Sequence, residues 1–148
     1  MSSDNLTKKK HGKSKKAAAL PNARGKRKES IARAVVTPGT GNVFINKAHV
    51  STITNAQLRM VILEPLDYFP ARNTIDIRVS VLGGGSGGQA QAIRTAIARA
   101  ILEFAKDDEL RATMLKADRS LIVEDSRRVE PKKFKGPKAR ARFTKSYR

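Results

Sequence analysis

The residues of this chain that are best suited to chemistry lie at its carboxyl end, where cations alternate with aromatic rings. Residues 126–148 hold ten Lys/Arg against one acid, Glu130, and three of the seven aromatic residues. Lys and Arg neutralise phosphates, and aromatic rings stack on unpaired bases with about 1–3 kcal/mol per base. The pattern predicts a nucleic-acid-binding tail. Its candidate RNA-binding residues are Arg127, Arg128, Lys132, Lys133, Phe134, Lys135, Lys138, Arg140, Arg142 and Phe143.

An equally basic segment lies at the amino end. Residues 1–28 hold ten Lys/Arg against one acid, Asp4, so each end carries a net charge of +9. Like charges at this density do not pack into a core, which predicts an arm that is disordered until it meets a polyanion. Its candidate RNA-binding residues are Arg24, Lys26, Arg27 and Lys28. A nuclear-import signal or a solvated tail would explain the same charge.

The segment between these ends is neutral. Residues 29–125 hold eleven basic and eleven acidic residues and are numerous enough to bury one modest core. The predicted organisation is therefore a basic arm (1–28), a globular domain (29–125) and an extended basic tail (126–148). The chain has no cysteine, which excludes disulfides and thiolate metal sites and fits a reducing compartment. The apolar run Met60–Leu63 is too short to cross a membrane.

One glycine-rich segment raises an enzymatic alternative. Gly83, Gly85 and Gly88 have the spacing of a dinucleotide-binding fingerprint and lie between a predicted strand and a predicted helix. The acidic residue that should end a second parallel strand is missing at the expected distance, because Asp107 and Asp108 open a helix instead. A nucleotide-binding enzyme that uses residues 83–88 thus stays as the alternative. A tight turn or a contact to an RNA phosphate explains the glycines better.

Other catalytic and metal-binding sets are thin. The two histidines, His11 and His49, have no cysteine to join them in a metal site. We assign no catalytic residue, metal or cofactor, and expect a protein that is not an enzyme. Polybasic ends also allow recruitment to a membrane surface. The spacing of the tail aromatics lacks a helical period, which counts against that alternative.

Hydrophobic periodicity predicts the elements that position these residues. In chain order they are an antiparallel hairpin of strands 30–37 and 43–45, a helix from about Asn55 to Pro65 with a capping box of Thr54 and Gln57, a strand at 75–81, a helix at 89–106, a helix that opens at Asp107, and a short strand at 121–123. This order predicts an α/β two-layer sandwich, in which a mixed sheet carries its helices on one face.

Three segments resemble small-subunit ribosomal protein nine, of the universal S-nine family. They are residues 25–33 (GKRKESIAR), residues 83–100 from the glycine run into the long helix, and the tail from Asp125 to Lys133 with its closing residues 145–148 (KSYR). Together they cover most of the chain in the family's order. The ending Ser-Tyr-Arg is similar to the archaeal and eukaryotic type.

The resemblance implies both a fold and a place. The fold is that of the second domain of ribosomal protein five, with a left-handed crossover, and the place is the head of the small subunit of a cytoplasmic ribosome. The implied partners are small-subunit rRNA, peptidyl-site tRNA and neighbouring head proteins, with no membrane. The implied tRNA contacts are Lys145, Ser146, Tyr147 and Arg148.

Overall fold

Five strands and three helices form the part of the chain that the computed structural model describes, residues 21–144. The strands are β1 (Asn22–Arg27), β2 (Ser30–Pro38), β3 (Val43–Ile45), β4 (Ala48–His49) and β5 (Ile75–Leu82). The helices are α1 (Ala56–Asp67), α2 (Ser86–Ala105) and α3 (Asp108–Ala117), and short 3-10 turns lie at Val50–Thr52, Arg72–Thr74 and Arg119–Leu121. No helix among these residues is both long and apolar enough to cross a bilayer.

The strands make one mixed sheet in the order β1-β2-β5-β3-β4. β3 runs parallel to β5 and the other neighbours are antiparallel. Parallel neighbours need a long crossover connection, which α1 supplies here. The mixed sheet of the predicted α/β fold is thereby confirmed.

The predicted hairpin of 30–37 with 43–45 is wrong, because β5 lies between the two strands. The turn after β2 does not fold back on that strand but closes over the start of β5. The carboxylate of Asp76 accepts the backbone N–H groups of Thr40 and Asn42, both at 2.9 Å. These hydrogen bonds attach the turn to the first residues of β5. They also hold the pKa of Asp76 below its ordinary value.

One face of the sheet is buried under the helices. The inward residues of β5 are Ile75, Ile77, Val79 and Val81, at most 3% exposed, while the residues between them face the other way. α2 lies against β1 and β2 with a surface of alanines that permits close approach. Isoleucines of the same helix and of α1 complete the core.

The amino-terminal boundary of the domain differs from the prediction. Residues 22–27 are not part of a disordered arm but pair with β2 along their whole length, from Asn22 opposite Val35 to Arg27 opposite Ser30. The alternation of Ala23 and Gly25 with cations explains this, because only small side chains enter the narrow space under α2. The charge of residues 22–27 predicted an arm, whereas the alternation of small and charged residues is typical of a strand.

Three further details differ from the prediction. The N-cap of α1 is Asn55, whose side-chain oxygen accepts the N–H of Gln57 at 2.9 Å, rather than Thr54. Pro65 lies inside α1, which continues to Asp67. The predicted strand at 121–123 does not form. A 3-10 turn at Arg119–Leu121 ends in this segment, and Asp118 caps it by accepting the N–H of Ser120 at 2.7 Å. Asp107 is the N-cap of α3, as expected, and its carboxylate accepts the N–H of Glu109.

Candidate nucleic-acid interface

The predicted RNA-binding residues of the amino end lie on and just after the edge strand β1. Arg24 and Lys26 occupy the positions that alternate with the buried Ala23 and Gly25, so they lie on the side of the sheet away from the helices. Arg27 lies toward α2, where its Nε donates to the side-chain oxygen of Gln91 at 2.6 Å. Lys28 is exposed in the turn after β1.

A cluster of ion pairs fixes the point where the carboxyl tail leaves the domain. We call it the tail junction; its members are Arg24, Arg27, Arg99, Glu124 and Asp125. A guanidinium nitrogen of Arg27 lies 2.6 Å from the Asp125 carboxylate, and Arg24 lies 3.5 Å from Glu124. The junction therefore joins β1 to Glu124 and Asp125, the last two residues before the tail.

Arg99 of α2 lies at the centre of the tail junction. Its Nη1 donates to the backbone oxygen of Arg24 at 2.8 Å and to the Glu124 carboxylate at 2.9 Å. Its Nε donates to the backbone oxygen of Ile122 at 2.8 Å. A planar guanidinium satisfies three acceptors from two separate segments in this way, which a lysine could not match.

Asp125 receives a second arginine from the tail itself. The Arg127 side chain and backbone N–H both donate to its carboxylate, the guanidinium at 2.6 Å. These hydrogen bonds, together with the charge of Arg27, hold the pKa of Asp125 well below its usual range. Asp125 is therefore charged at neutral pH and holds one arginine from each basic end.

A second ion-pair cluster stiffens the helix layer behind the tail junction. Arg94 of α2 lies 2.7 Å from both Glu64 and Asp118, and its other terminal nitrogen donates to Ser120. Hydrogen bonds from the Ser120 hydroxyl and N–H, followed by Arg94, lower the pKa of Asp118 to about 2. This cluster ties α1, α2 and the turn after α3 together.

Beyond the junction the tail is exposed. Phe134 and Phe143 are 90% and 71% exposed, and the ammonium of Lys135 lies 5.9 Å from the Phe134 ring centre. Within residues 21–144, no ion pair involves the remaining predicted cations Arg128, Lys132, Lys133, Lys138 and Arg142. Rings and cations thus stand free for stacking and for phosphates.

The sequence predicted an extended tail, but part of the tail turns back on itself. Arg140 reaches back to Glu130, with a nitrogen–oxygen distance of 2.6 Å, and the chain turns between them. Glu130 is the only acid of the tail, and Arg140 neutralises it. Residues 145–148, which include the predicted tRNA contacts, lie outside the described residues, as do residues 1–20.

Three glycines of the run, Gly83, Gly84 and Gly88, pack against residues 29–30, whereas a Cβ on Gly85 or Gly87 would meet nothing within 4 Å. Gly83 and Gly84 have positive φ angles of 76° and 64°, and a Cβ on Gly84 would lie 2.1 Å from the Ser30 hydroxyl. That buried hydroxyl donates to the backbone oxygen of Gly83. Among the described residues α2 is followed by α3 and not by a parallel strand, so the fingerprint lacks its structural context.

Sequence reasoning missed the acceptors of the tail junction and the role of α2. Arg94 and Arg99 of α2 had no predicted role. The pair of acids Glu124 and Asp125, directly before a basic tail, indicates an attachment point for the tail but does not identify its arginine partners. The partners of these arginines are distant in sequence, so no local pattern identified them.

Comparisons with known proteins agree with this architecture. Residues 25–148 match the family model described as ribosomal protein S9/S16. A protein of Halobacterium salinarum named small ribosomal subunit protein uS9 is 46% identical over 131 residues, which cover 87% of this chain and 99% of that protein. Its namesake in Desulfurococcus amylolyticus is 48% identical over 125 residues, 84% of this chain and 89% of that protein.

The match begins at Gly25, inside β1, and continues through the tail junction to the last residue of the chain. It therefore includes the sheet from Gly25 onward, the helix layer and the basic tail. The chain belongs to the ribosomal protein S9/S16 family.

Proposed function

We propose that this protein is a structural component of the small ribosomal subunit, which binds small-subunit rRNA and has no catalytic role. The observation that carries the proposal is the tail: a row of exposed cations and rings held at its root by the tail junction. A flexible chain loses conformational entropy when it binds, and a fixed root reduces that loss. The names of the archaeal relatives support the same assignment.

The fold supports a finer assignment. A mixed sheet with helices on one face and a parallel pair joined by α1 is consistent with the second domain of ribosomal protein five and its left-handed crossover. In the proposed setting, the globular domain lies in the head of the subunit beside other head proteins. The arms then neutralise rRNA phosphates, so rRNA affinity falls steeply as salt rises.

The end of the tail has a separate proposed role at the peptidyl site. Residues 126–148 would span at most ~80 Å if fully extended, which is far beyond the globular domain. Lys145, Ser146, Tyr147 and Arg148 then contact the tRNA bound there. Cations and hydroxyls that meet phosphate and ribose position a tRNA without reading its bases.

Two deletions separate these roles. Removing residues 145–148 should leave the chain in small subunits while weakening their affinity for peptidyl-site tRNA. Removing residues 126–148 should also weaken rRNA binding and make the dependence of log affinity on log salt less steep. With ~0.7 per single-strand phosphate contact, the ten cations of the tail would reduce the magnitude of the slope by at most about 7. Binding of labelled tRNA to purified subunits measures the first effect, and a filter-binding salt titration with rRNA measures the second.

The matched control for the short deletion is Lys9→Gln/Lys10→Gln, which removes the same number of cations from the opposite end. We expect subunits with this variant to bind tRNA like the wild type. Equal tRNA affinity in the short-deletion subunits and the wild-type subunits would refute the tRNA contact. An unchanged salt slope after the long deletion would refute the role of the tail in rRNA binding.

A further inference from the structure

The face of the sheet opposite the helices is uncovered among the described residues. We call it the open sheet face; its principal residues are Arg24, Arg33, Val35, Phe44, Arg78 and Leu82. Arg33 and Arg78 are exposed, and Leu82 is 70% exposed. Strand alternation requires these residues to share one side, because the residues between them are buried under the helices. A family member with two basic arms thus has a third basic surface within its domain.

The neutrality of residues 29–125 conceals a separation of charge. Within residues 21–144, no ion pair involves Arg33 or Arg78. The strand acid on the same side is Asp76, whose carboxylate already accepts two backbone N–H groups of the turn after β2. Glu64 and Asp118 pair with Arg94 on the helix side, and Glu124 pairs with Arg99 of α2 and, at 3.5 Å, with Arg24. The open sheet face is therefore cationic.

The strand register places its cations close together. Arg24 lies directly opposite Arg33 on the neighbouring strand. Arg33 is opposite Ser80 and Val35 is opposite Arg78, so Arg33 and Arg78 are diagonal neighbours at about 7–8 Å between backbones. Like charges across a sheet destabilise the folded chain. A bound polyanion would relieve this repulsion, whereas an uncharged partner would increase it by removing water.

Beside these cations lies a trough of about 730 Å³ with a partly apolar floor. Val35 and Phe44 line it, together with Arg33, Arg78 and Ser80. Phe44 is only partly buried, and its ring is held edge-on by His49 with centroids 5.7 Å apart. Phe44 lies directly opposite Arg78 on the neighbouring strand. A ring fixed on a strand beside an arginine is an arrangement with which sheet surfaces stack unpaired bases.

We propose that the open sheet face is an RNA-binding surface separate from the two arms, and that it holds a single-stranded segment of RNA. Arg33 and Arg78 contact its phosphates, and a base packs on the Phe44 ring beside Arg78. Charge favours RNA over a protein partner, since the residues that line the trough include Arg33, Lys47 and Arg78 and no carboxylate. The identity of the RNA as rRNA rests on the proposed function.

A salt titration with the full-length chain and a transcript of small-subunit rRNA tests the phosphate contacts. Arg33→Gln/Arg78→Gln should lower the slope of log affinity against log salt by about 1.4, at ~0.7 per contact. The ratio of wild-type to variant affinity should then be about sevenfold larger at 50 mM than at 200 mM salt. The control Arg111→Gln/Lys116→Gln removes the same charge from exposed positions on α3 and should keep the wild-type slope. Equal slopes for the two variants would overturn the proposal.

A cross-link within assembled particles tests the partner without removing any cation. p-Benzoylphenylalanine in place of Phe44 should cross-link to RNA on irradiation, and to far more of it than the same group in place of Leu115, which is 40% exposed on α3. A cross-link from position 44 to protein, in particles that contain the chain, would overturn the proposal and leave the ribosomal role intact. Absence of the unmodified chain from small-subunit particles would instead refute the proposed function.

Discussion

Gly25 is the position where a single methyl group should separate β1 from the domain. An alanine Cβ there would lie 2.1 Å from the backbone oxygen of Ala92 and 2.6 Å from the backbone nitrogen of Ala96. Both atoms belong to the backbone of α2, so no side chain can rotate to make room. Either α2 or β1 must move, and both carry residues of the tail junction.

The expected cost follows from this geometry. Overpacking a well-packed core by one methyl group destabilises a protein by about 1–3 kcal/mol, and sometimes by more. For a domain of this size that corresponds to a melting temperature lowered by roughly 5–20 °C. The greater strand propensity of alanine opposes the effect by at most about 1 kcal/mol. We therefore expect Gly25→Ala to unfold at lower urea and lower temperature than the wild type.

Gly87→Ala is the matched control. It makes the same chemical change in the first turn of α2, where an added Cβ meets nothing within 4 Å. It should be neutral or slightly stabilising, because alanine favours a helix over glycine. Urea unfolding of the three full-length proteins, followed by circular dichroism, measures the difference. If Gly25→Ala and Gly87→Ala unfold together with the wild type, β1 does not pack against α2 as described.

Two further predictions concern the ion pairs of the helix layer. Arg99→Met removes the hydrogen bonds to Ile122, Arg24 and Glu124. It should lower the free energy of unfolding by about 1–2 kcal/mol and speed amide exchange at residues 122–125. Arg111→Met is its exposed control, and equal amide exchange in the two variants would refute the tail junction. Asp118 has a folded-state pKa of about 2 against an ordinary value of 3.8, so its contribution to stability is full above pH 4 and is lost as the pH falls toward 2. Asp118→Asn should therefore be less stable than the wild type at pH 7 but not at pH 2, and a stability difference that stays constant in urea unfolding across this range would contradict the assignment.

The sequence was most informative where a pattern is local. The alternation of Ile75, Ile77, Val79 and Val81 correctly predicted β5, and the acids at 107–109 correctly marked the start of α3. The resemblance to the S-nine family is confirmed by the family match. Each of these signals is contained in a short stretch of chain, so local reasoning was sufficient.

Errors arose where distant residues decide the structure. Whether the turn after β2 closes a hairpin depends on Asp76, which follows it by more than thirty residues. Whether residues 22–27 form a strand depends on a surface of α2 that accepts Gly25. The charges of β1 indicated an arm, but alternation allows a strand to keep its cations on one side and still pack on the other. The cationic open sheet face was missed for the same reason, because the net charge of a segment does not show on which side of a sheet each charge lies.

The central claim is that this protein works as a part of the small ribosomal subunit bound to rRNA. The most direct measurement is sedimentation of the tagged full-length chain from a lysate of its own organism on a sucrose gradient, with and without ribonuclease. We predict that the chain sediments with small subunits, and that ribonuclease or high salt moves it to the top of the gradient. A chain that remains at the top of the untreated gradient, apart from small-subunit rRNA, would contradict the account.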